Sequence, residues 1–358
     1  FSILANGPVA IVLVTGILLL FWLLDERGGS FRRWHVVSGL AITAAVSLPW
    51  FWLAFRQNGF AFIATFFINH NLARYVSDIH HHTEPFYYYI PVLLGTFFPW
   101  TAALLLLMPS SVTRELRNWK NWNPATLFML CWVVFPLLFF SFSQSKLVGY
   151  ILPTLPPLAL LLGAAWSKAA TAQTVPRLPG WTACLHLTFS FGIALAVPLV
   201  FQHSYAGAWR VGVVLSAAVL IPALPGFYLM LRRHWQAAFT ATLVQGVIVI
   251  LAVAQFAFPV IGEFESTREI AHQALEHDQK GEPIVTFLYF DHSLYYYTGY
   301  RIAGDFTDLE ALRDFAAGHR SVLVVVRAEH VAAIARINDI HVRTLSSQGK
   351  LRLLELGR

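Results

Sequence analysis

"WRVGVVLSAAVLIPALPGFYLML", Trp209 to Leu231, carries one charge, Arg210, and then no other to its end. An α-helix needs about 20 mostly apolar residues to cross the hydrocarbon core of a bilayer. Pro222 and Pro225 do not argue against a span, because membrane helices tolerate proline where neighbours satisfy the freed backbone groups. Seven more stretches read the same way, at roughly 8–24, 36–55, 90–108, 125–142, 150–166, 181–201 and 237–258. The composition agrees. Of 358 residues, 57% are hydrophobic and 12% are charged, against roughly 25% charged in soluble domains. The fold class is an α-helical polytopic membrane protein with eight expected spans.

The loops between these stretches set the orientation. "DERGGSFRRWH" (25–35), "TRELRNWKNWN" (113–123), "SKAATAQTVPRLPG" (167–180) and "LRRHW" (231–235) hold most of the loop cations. They are alternate loops, so they share one side, and the positive-inside rule makes that side the cytoplasm. The net charge of +6 therefore has a membrane explanation, and nothing points to nucleic acid. The other face carries Arg56, Arg74, Lys146 and Arg210, together with everything after Pro259. No charged n-region or small-residue cleavage site precedes the first apolar run, so it is not a signal peptide. The expectation is an internal start, with earlier helices ahead of Phe1.

The composition changes near Ile261. "PIVTFLYF" (283–290), "SVLVVV" (321–326), "HVRTLSS" (341–347) and "LRLLEL" (351–356) read as strands, and "AEHVAAIARI" (328–337) as a helix. "TDLEALRDFAAG" (307–318) reads as a second helix, with Thr307 as its N-cap, Glu310 three residues on and Gly318 at its end. Alternating elements imply a small α/β domain at 261–358 on the outer side. Residues 1–260 form the membrane domain, with an outer loop at 56–89. No Gly-rich phosphate loop or internal repeat is present. Cys131 and Cys184 lie in apolar runs without metal-ligand spacing.

One outer segment holds the chemistry. "FFINHNLARYVSDIHHHTEPFYYYIP" (66–91) contains four of the fourteen histidines. Ile63, Phe66, Phe67, His70 and Arg74 fall on one face at helical spacing, as in a helix lying along the interface. The bland reading is that His70 and Arg74 reach the headgroups as solvated ends. His70, the three histidines at 80–82 and Glu84 suit a divalent metal in residue type, although consecutive residues point different ways. "PFYYYIP" suits an aromatic belt. A second polar segment, "SFSQSKLVGYILPTLPP" (141–157), puts Lys146 on the same side as Arg74. A lysine between two spans is expected to have a partner or a wet cavity. Helical continuation would carry Tyr150 onto its side. Cations with a tyrosine hydroxyl suit a phosphate, and the flanking Phe, Trp and Leu suit a lipid chain.

These two segments, with "EPFYYYIPVLLGTFFPWT" (84–101) and "SKLVGYILPTLPPLALLLG" (145–163), resemble bacterial glycosyltransferases related to 4-amino-4-deoxy-L-arabinose lipid A transferase. That group lies in the GT-C superfamily with the protein O-mannosyltransferases. "ANGPVAIVLVTGILLL" (5–20) looks like the family's "KGP" helix, with Asn6 in place of the lysine. The resemblance implies a sugar donor carried on polyprenyl phosphate. It implies transfer with inversion to a lipid A phosphate, protein or glycan acceptor on the periplasmic face of the bacterial cytoplasmic membrane. It assigns Arg74, Lys146 and Tyr150 to the donor phosphate and His70 to the neighbourhood of a divalent metal, with Asn71, Glu84 and Tyr88 as supporting loop residues. No organic cofactor is implied. The family's catalytic base is one of an acidic pair in a first outer loop. No residue here matches it, so the base is expected ahead of Phe1. A lipid-linked precursor flippase, or a non-catalytic membrane protein with a sensing outer domain, are the competing readings. An inverted repeat would favour a transporter, and none is found.

Overall fold

A computed structural model describes residues 3–4, 7–25, 36–64, 66–67, 84–107, 122–171, 178–205, 207–278, 281–337 and 340–357. Among these, six helices are long and apolar enough to cross a membrane, and Val9–Leu24 is a shorter apolar helix. The chain forms two compact units. One comprises Phe1–Gly192 with Leu220–Gly246, the other Ile193–Val219 with Val247–Arg358.

In the first unit, Val9–Leu24 packs along Pro124–Ser141. Gly16 makes this possible, because a Cβ there would fall within the Phe135 ring. Val36–Ile63 runs past its expected end at 55 and bends at Gly59, whose φ of 59° a side chain would disfavour. The interior joins Phe97, Val133, Leu158, Leu162, Trp166 and Trp235, among others. The Trp166 indole nitrogen donates to the Trp235 carbonyl at 2.9 Å, which satisfies a polar atom that burial would otherwise strand.

The 90–108 stretch departs from a continuous span. It forms an α-helix at Tyr89–Thr96 and a 3₁₀ helix at Thr101–Leu107, separated by a turn containing a cis Phe98–Pro99 bond. Pro99 has no N–H and disfavours helical geometry in the residue before it. The freed carbonyls find other donors. Gly95 O accepts from the Phe98 amide at 3.2 Å, and Leu94 O accepts from the Thr101 hydroxyl at 2.6 Å. Hydropathy counts apolar residues and is blind to this break. The buried His186 ring lies against the carbonyls of Pro99 and Ala223. A Cβ on Gly246 would lie 3.3 Å from the Trp100 ring.

The second unit contains the α/β domain. Its strands are β1 Ile284–Phe287, β2 Ile302–Phe306, β3 Ser321–Arg327, β4 His341–Gln348 and β5 Leu351–Gly357. The sheet order is β2-β1-β3-β5-β4. β1 is parallel to β2 and β3, whereas β5 is antiparallel to β3 and β4. Alternate residues feed two cores. Val285, Phe287, Val322, Val324 and Val326 pack on one face with Leu312 of helix Leu309–Ala317. Ile284, Leu323 and Val325 pack on the other with Ile270 of helix Arg268–His277 and Leu294 of helix His292–Tyr297. Double coverage is why β1 and β3 read as unbroken apolar runs.

Local details correct the sequence reading. β1 stops at Phe287, because Leu288 has a φ of 47°. The N-cap of helix Leu309–Ala317 is Asp308, not Thr307. Asp308 has extended backbone and its carboxylate accepts from the Ala311 amide at 3.0 Å. That makes Glu310 the second helical residue, out of place for a capping box. The 328–337 segment is a 3₁₀ turn, Ala328–His330, followed by one short helix, Val331–Ile334.

A three-residue network ties β1, β2 and a helix together. The Asp305 carboxylate accepts from the Thr286 hydroxyl at 2.5 Å and from the Tyr295 hydroxyl. Partial burial, then the hydrogen bond and charge of Asp305, push the Tyr295 phenol up to about 12. An unfolded tyrosine ionises near 10. Between those values the folded state keeps a proton that the unfolded state has lost, so the stability from this group is complete below pH 10 and falls as pH rises towards 12. Tyr295→Phe should flatten that part of the stability profile, read by denaturant unfolding between pH 9 and about 12. An unchanged slope would remove Tyr295 from the account.

Candidate functional site

The site is built where Pro124–Ser141 ends. The Phe142 amide closes that helix onto the Leu138 and Phe140 carbonyls. The chain then turns through Ser143, whose amide bonds Phe140 O at 3.1 Å and whose hydroxyl donates to Ser145 O at 2.9 Å. Lys146 follows and is 6% exposed. Its ammonium donates to Ser143 O at 2.7 Å and to Glu84 O at 2.8 Å. An ammonium has three donors. Two are spent on backbone carbonyls and neither acceptor is an anion, so among the described residues the positive charge is solvated but not cancelled. The third N–H has no partner among the described residues.

The sequence reading expected Tyr150 to share a helix with Lys146. The chain instead passes through Leu147 in extended conformation and enters a 3₁₀ helix at Val148–Thr154. Tyr150 is therefore placed by its own contacts. Its ring packs on Phe140 at 4.8 Å between centroids, and it borders the small core of Tyr89, Phe140 and Ile151.

The far wall is the end of the polar loop. Glu84 contributes its carbonyl, and its side chain is not the group that meets Lys146. Phe86 packs on Phe142 at 5.1 Å and Tyr88 on Tyr89 at 5.2 Å. Tyr89 is 2% exposed, and its hydroxyl donates to Leu147 O at 3.2 Å. Two hydrogen bonds thus pin residues 84–89 to residues 146–147, about sixty positions later. The end of the loop, residues 84–89, therefore lies beside Lys146, while the expected meeting of His70 and Arg74 with Lys146 falls on residues outside the described ones.

His70, Asn71, Arg74 and the histidines at 80–82 lie outside the described residues. Among the described residues, no group of three or more His, Cys, Asp or Glu side chains is placed to hold a metal ion. Sequence reasoning passed over two residues. Tyr89 was read only as part of an aromatic belt. Ser145 is fully buried, and its hydroxyl has no hydrogen-bond partner among the described residues. Two serines just before a lysine between spans, in "SQSK", were the available signal.

No protein-family model matches the chain. It is 37% identical over 173 residues to the undecaprenyl phosphate-alpha-4-amino-4-deoxy-L-arabinose arabinosyl transferase of Pectobacterium carotovorum subsp. carotovorum (strain PC1), covering 46% of this chain and 30% of that protein. It is 36% identical over 222 residues to the enzyme of the same name from Enterobacter sp. (strain 638), covering 57% of this chain and 38% of the relative. The matches thus span well under half the length of these curated relatives. The crystal structure of ArnT from Cupriavidus metallidurans bound to undecaprenyl phosphate superposes with a TM-score of 0.75 at 22% identity, over 99% of this chain and 66% of that one. The apo form gives 0.74. The chain is related in sequence to the arabinosyl transferases and has the ArnT fold, as the resemblance in its motifs implies.

Proposed function

We propose that this chain acts as an integral-membrane glycosyltransferase. The enzyme moves a sugar from a polyprenyl-phosphate carrier to an acceptor on the periplasmic face of the bacterial cytoplasmic membrane. The names of the relatives favour an aminoarabinose donor on undecaprenyl phosphate. The acceptor is a lipid A phosphate or another envelope hydroxyl or phosphate. The 261–358 domain sits on the periplasmic side, a placement the cation asymmetry of the loops supports.

One observation carries the reading. Among the described residues, Lys146 is a buried ammonium held by two carbonyls and no anion, with one N–H uncommitted. Such a group is matched to a ligand that brings its own negative charge. As the sugar leaves, the carrier phosphate gains charge, and a fixed cation stabilises that state more than the bound donor. Tyr150, and Arg74 from the preceding loop, supply further donors to the same phosphate. The apolar side chains around them accept the prenyl chain. Inversion requires a base on the opposite side of the sugar, and no described residue is proposed for that role. A divalent metal near His70 belongs to the same proposal, and no step here is routed through it.

The test uses undecaprenyl phosphate and undecaprenol, which differ only in the phosphate. The purified protein in detergent should bind the phosphate at least tenfold more tightly, and Lys146→Gln should remove most of the difference. Equal binding of the two lipids by the unmodified protein would rule out a phosphate site.

A further inference from the structure

The soluble domain carries an apolar edge with no counterpart in the proposed reaction. Leu288 is 43% exposed and Phe290 is 59% exposed, and both directly follow β1. Their place in the fold follows from the strand register. β1 and β3 are parallel, with Phe287 beside Val326, so their carboxyl ends lie together. β3 is antiparallel to β5, with Arg327 opposite Leu351. The tip of the β4–β5 hairpin is therefore at that same end. This tip meets the chain emerging from the last span. A Cβ on Gly349 would lie 2.1 Å from Phe264 O, and Lys350 pairs with Glu265 at 2.7 Å.

Helix Trp235–Ala252 continues through a π-helical turn, Val253–Ala257, into helix Phe258–Glu265. About 20 residues after Trp235 the helix leaves the hydrocarbon core, and the headgroup layer takes roughly four or five more. That brings the aqueous edge of the interface close to Gly262. Phe264 packs on Tyr205 at 5.7 Å, an aromatic pair of the kind that marks this level. The strand ends, and with them Leu288 and Phe290, are anchored at that height within the same compact unit.

The charged groups at this end are paired or hydrogen-bonded. Arg327 lies 3.8 Å from Glu329 and over the Tyr289 ring at 5.8 Å. His330 lies 3.6 Å from Glu329. Asp291 accepts from the Ser293 amide and hydroxyl. Arg327 is matched by Glu329 and Lys350 by Glu265, so among the described residues no cluster of free cations stands here to draw an acidic protein. An apolar pair within a rim of paired and hydrogen-bonded groups, continuous with an aromatic belt, fits the headgroup and glycerol layer of a membrane.

We infer that Leu288 and Phe290 rest in the outer-leaflet interface and that the soluble domain is a lipid-contacting one. The inference does not depend on the proposed chemistry. The test places a single nitroxide at position 290 by Phe290→Cys in a Cys131→Ala, Cys184→Ala background, with Leu288→Cys as a second site. The protein is held in nanodiscs. The expected result is high accessibility to oxygen and low accessibility to a water-soluble nickel chelate, matching a label at Phe258 and opposite to one at Arg320, which precedes β3 at the far end of the sheet. High salt should leave the pattern unchanged, because the contact is apolar. A label at 290 as open to the chelate as one at 320 overturns the inference. So does a label shielded from both probes in nanodiscs and in detergent alike, which would mean protein covers the site. Loss of protection in high salt overturns it too.

Discussion

Lys146→Met should lower sugar transfer roughly ten- to more than a hundredfold, since a charge-assisted contact is worth about 1.5–3 kcal/mol. The structure adds a second effect that charge arguments alone miss. The ammonium holds Ser143 O and Glu84 O, and methionine leaves both without that donor. Each buried carbonyl left unpaired costs about 1–3 kcal/mol, reduced where Glu84, an exposed residue, regains water. The variant should therefore lose stability as well as activity. Two controls separate the effects. Lys146→Arg keeps the charge and donors but changes their geometry, so it should recover stability more fully than rate. Tyr89→Phe removes the 3.2 Å bond to Leu147 O without touching the cation, so it should loosen the loop while leaving discrimination between a prenyl phosphate and a prenol intact. Wild-type transfer by a well-folded Lys146→Met protein would refute the phosphate role. Equal losses of transfer and of folded protein would make Lys146 a structural residue.

Gly212→Val should destabilise the second unit by about 1–3 kcal/mol or more, as overpacking does where neither side can move. A Cβ at Gly212 would lie 2.4 Å from Pro198 Cα and 3.0 Å from Pro198 N. Both are backbone atoms, so no side-chain rotation relieves the clash. The close approach has a purpose that sequence spacing explains afterwards. Pro198 lacks an N–H, which frees the carbonyl four residues earlier, Ala194 O. Ser216, one turn beyond Gly212, donates its hydroxyl to Ala194 O at 2.5 Å. A neighbouring helix thus satisfies what proline freed, and glycine lets that helix come near enough. Ser216→Ala should cost less than Gly212→Val, on the order of 1 kcal/mol or somewhat more. Gly192→Ala is the control, because nothing lies within 4 Å of its added Cβ. Thermal unfolding in one detergent compares all three. Equal melting temperatures for the Gly212 and Gly192 variants would dispose of the close-packing account.

The parts legible in the sequence were those that depend on local composition. Twenty apolar residues must become a helix in lipid, because no water is there to take the backbone groups. Hence the spans at Pro124–Ser141 or Trp209–Leu231 needed no tertiary information. The doubly covered strands β1 and β3 were legible for a similar reason, since burial on both faces leaves an unbroken apolar run. Residue chemistry also singled out Lys146, because a lysine between spans needs a reason to be there. What it touches was not legible. Its partners are two backbone carbonyls, which every residue carries, and one of them is sixty-two positions away at Glu84. Tyr89 escaped notice among four consecutive aromatics for the same reason, because its bond is to the Leu147 carbonyl. The break at Phe98–Pro99 and the pairing of Ser216 with Ala194 O likewise turned on which carbonyl a proline frees and which neighbour is near enough to answer it. A sequence records side chains. Where backbone groups find their partners is decided only when distant segments meet.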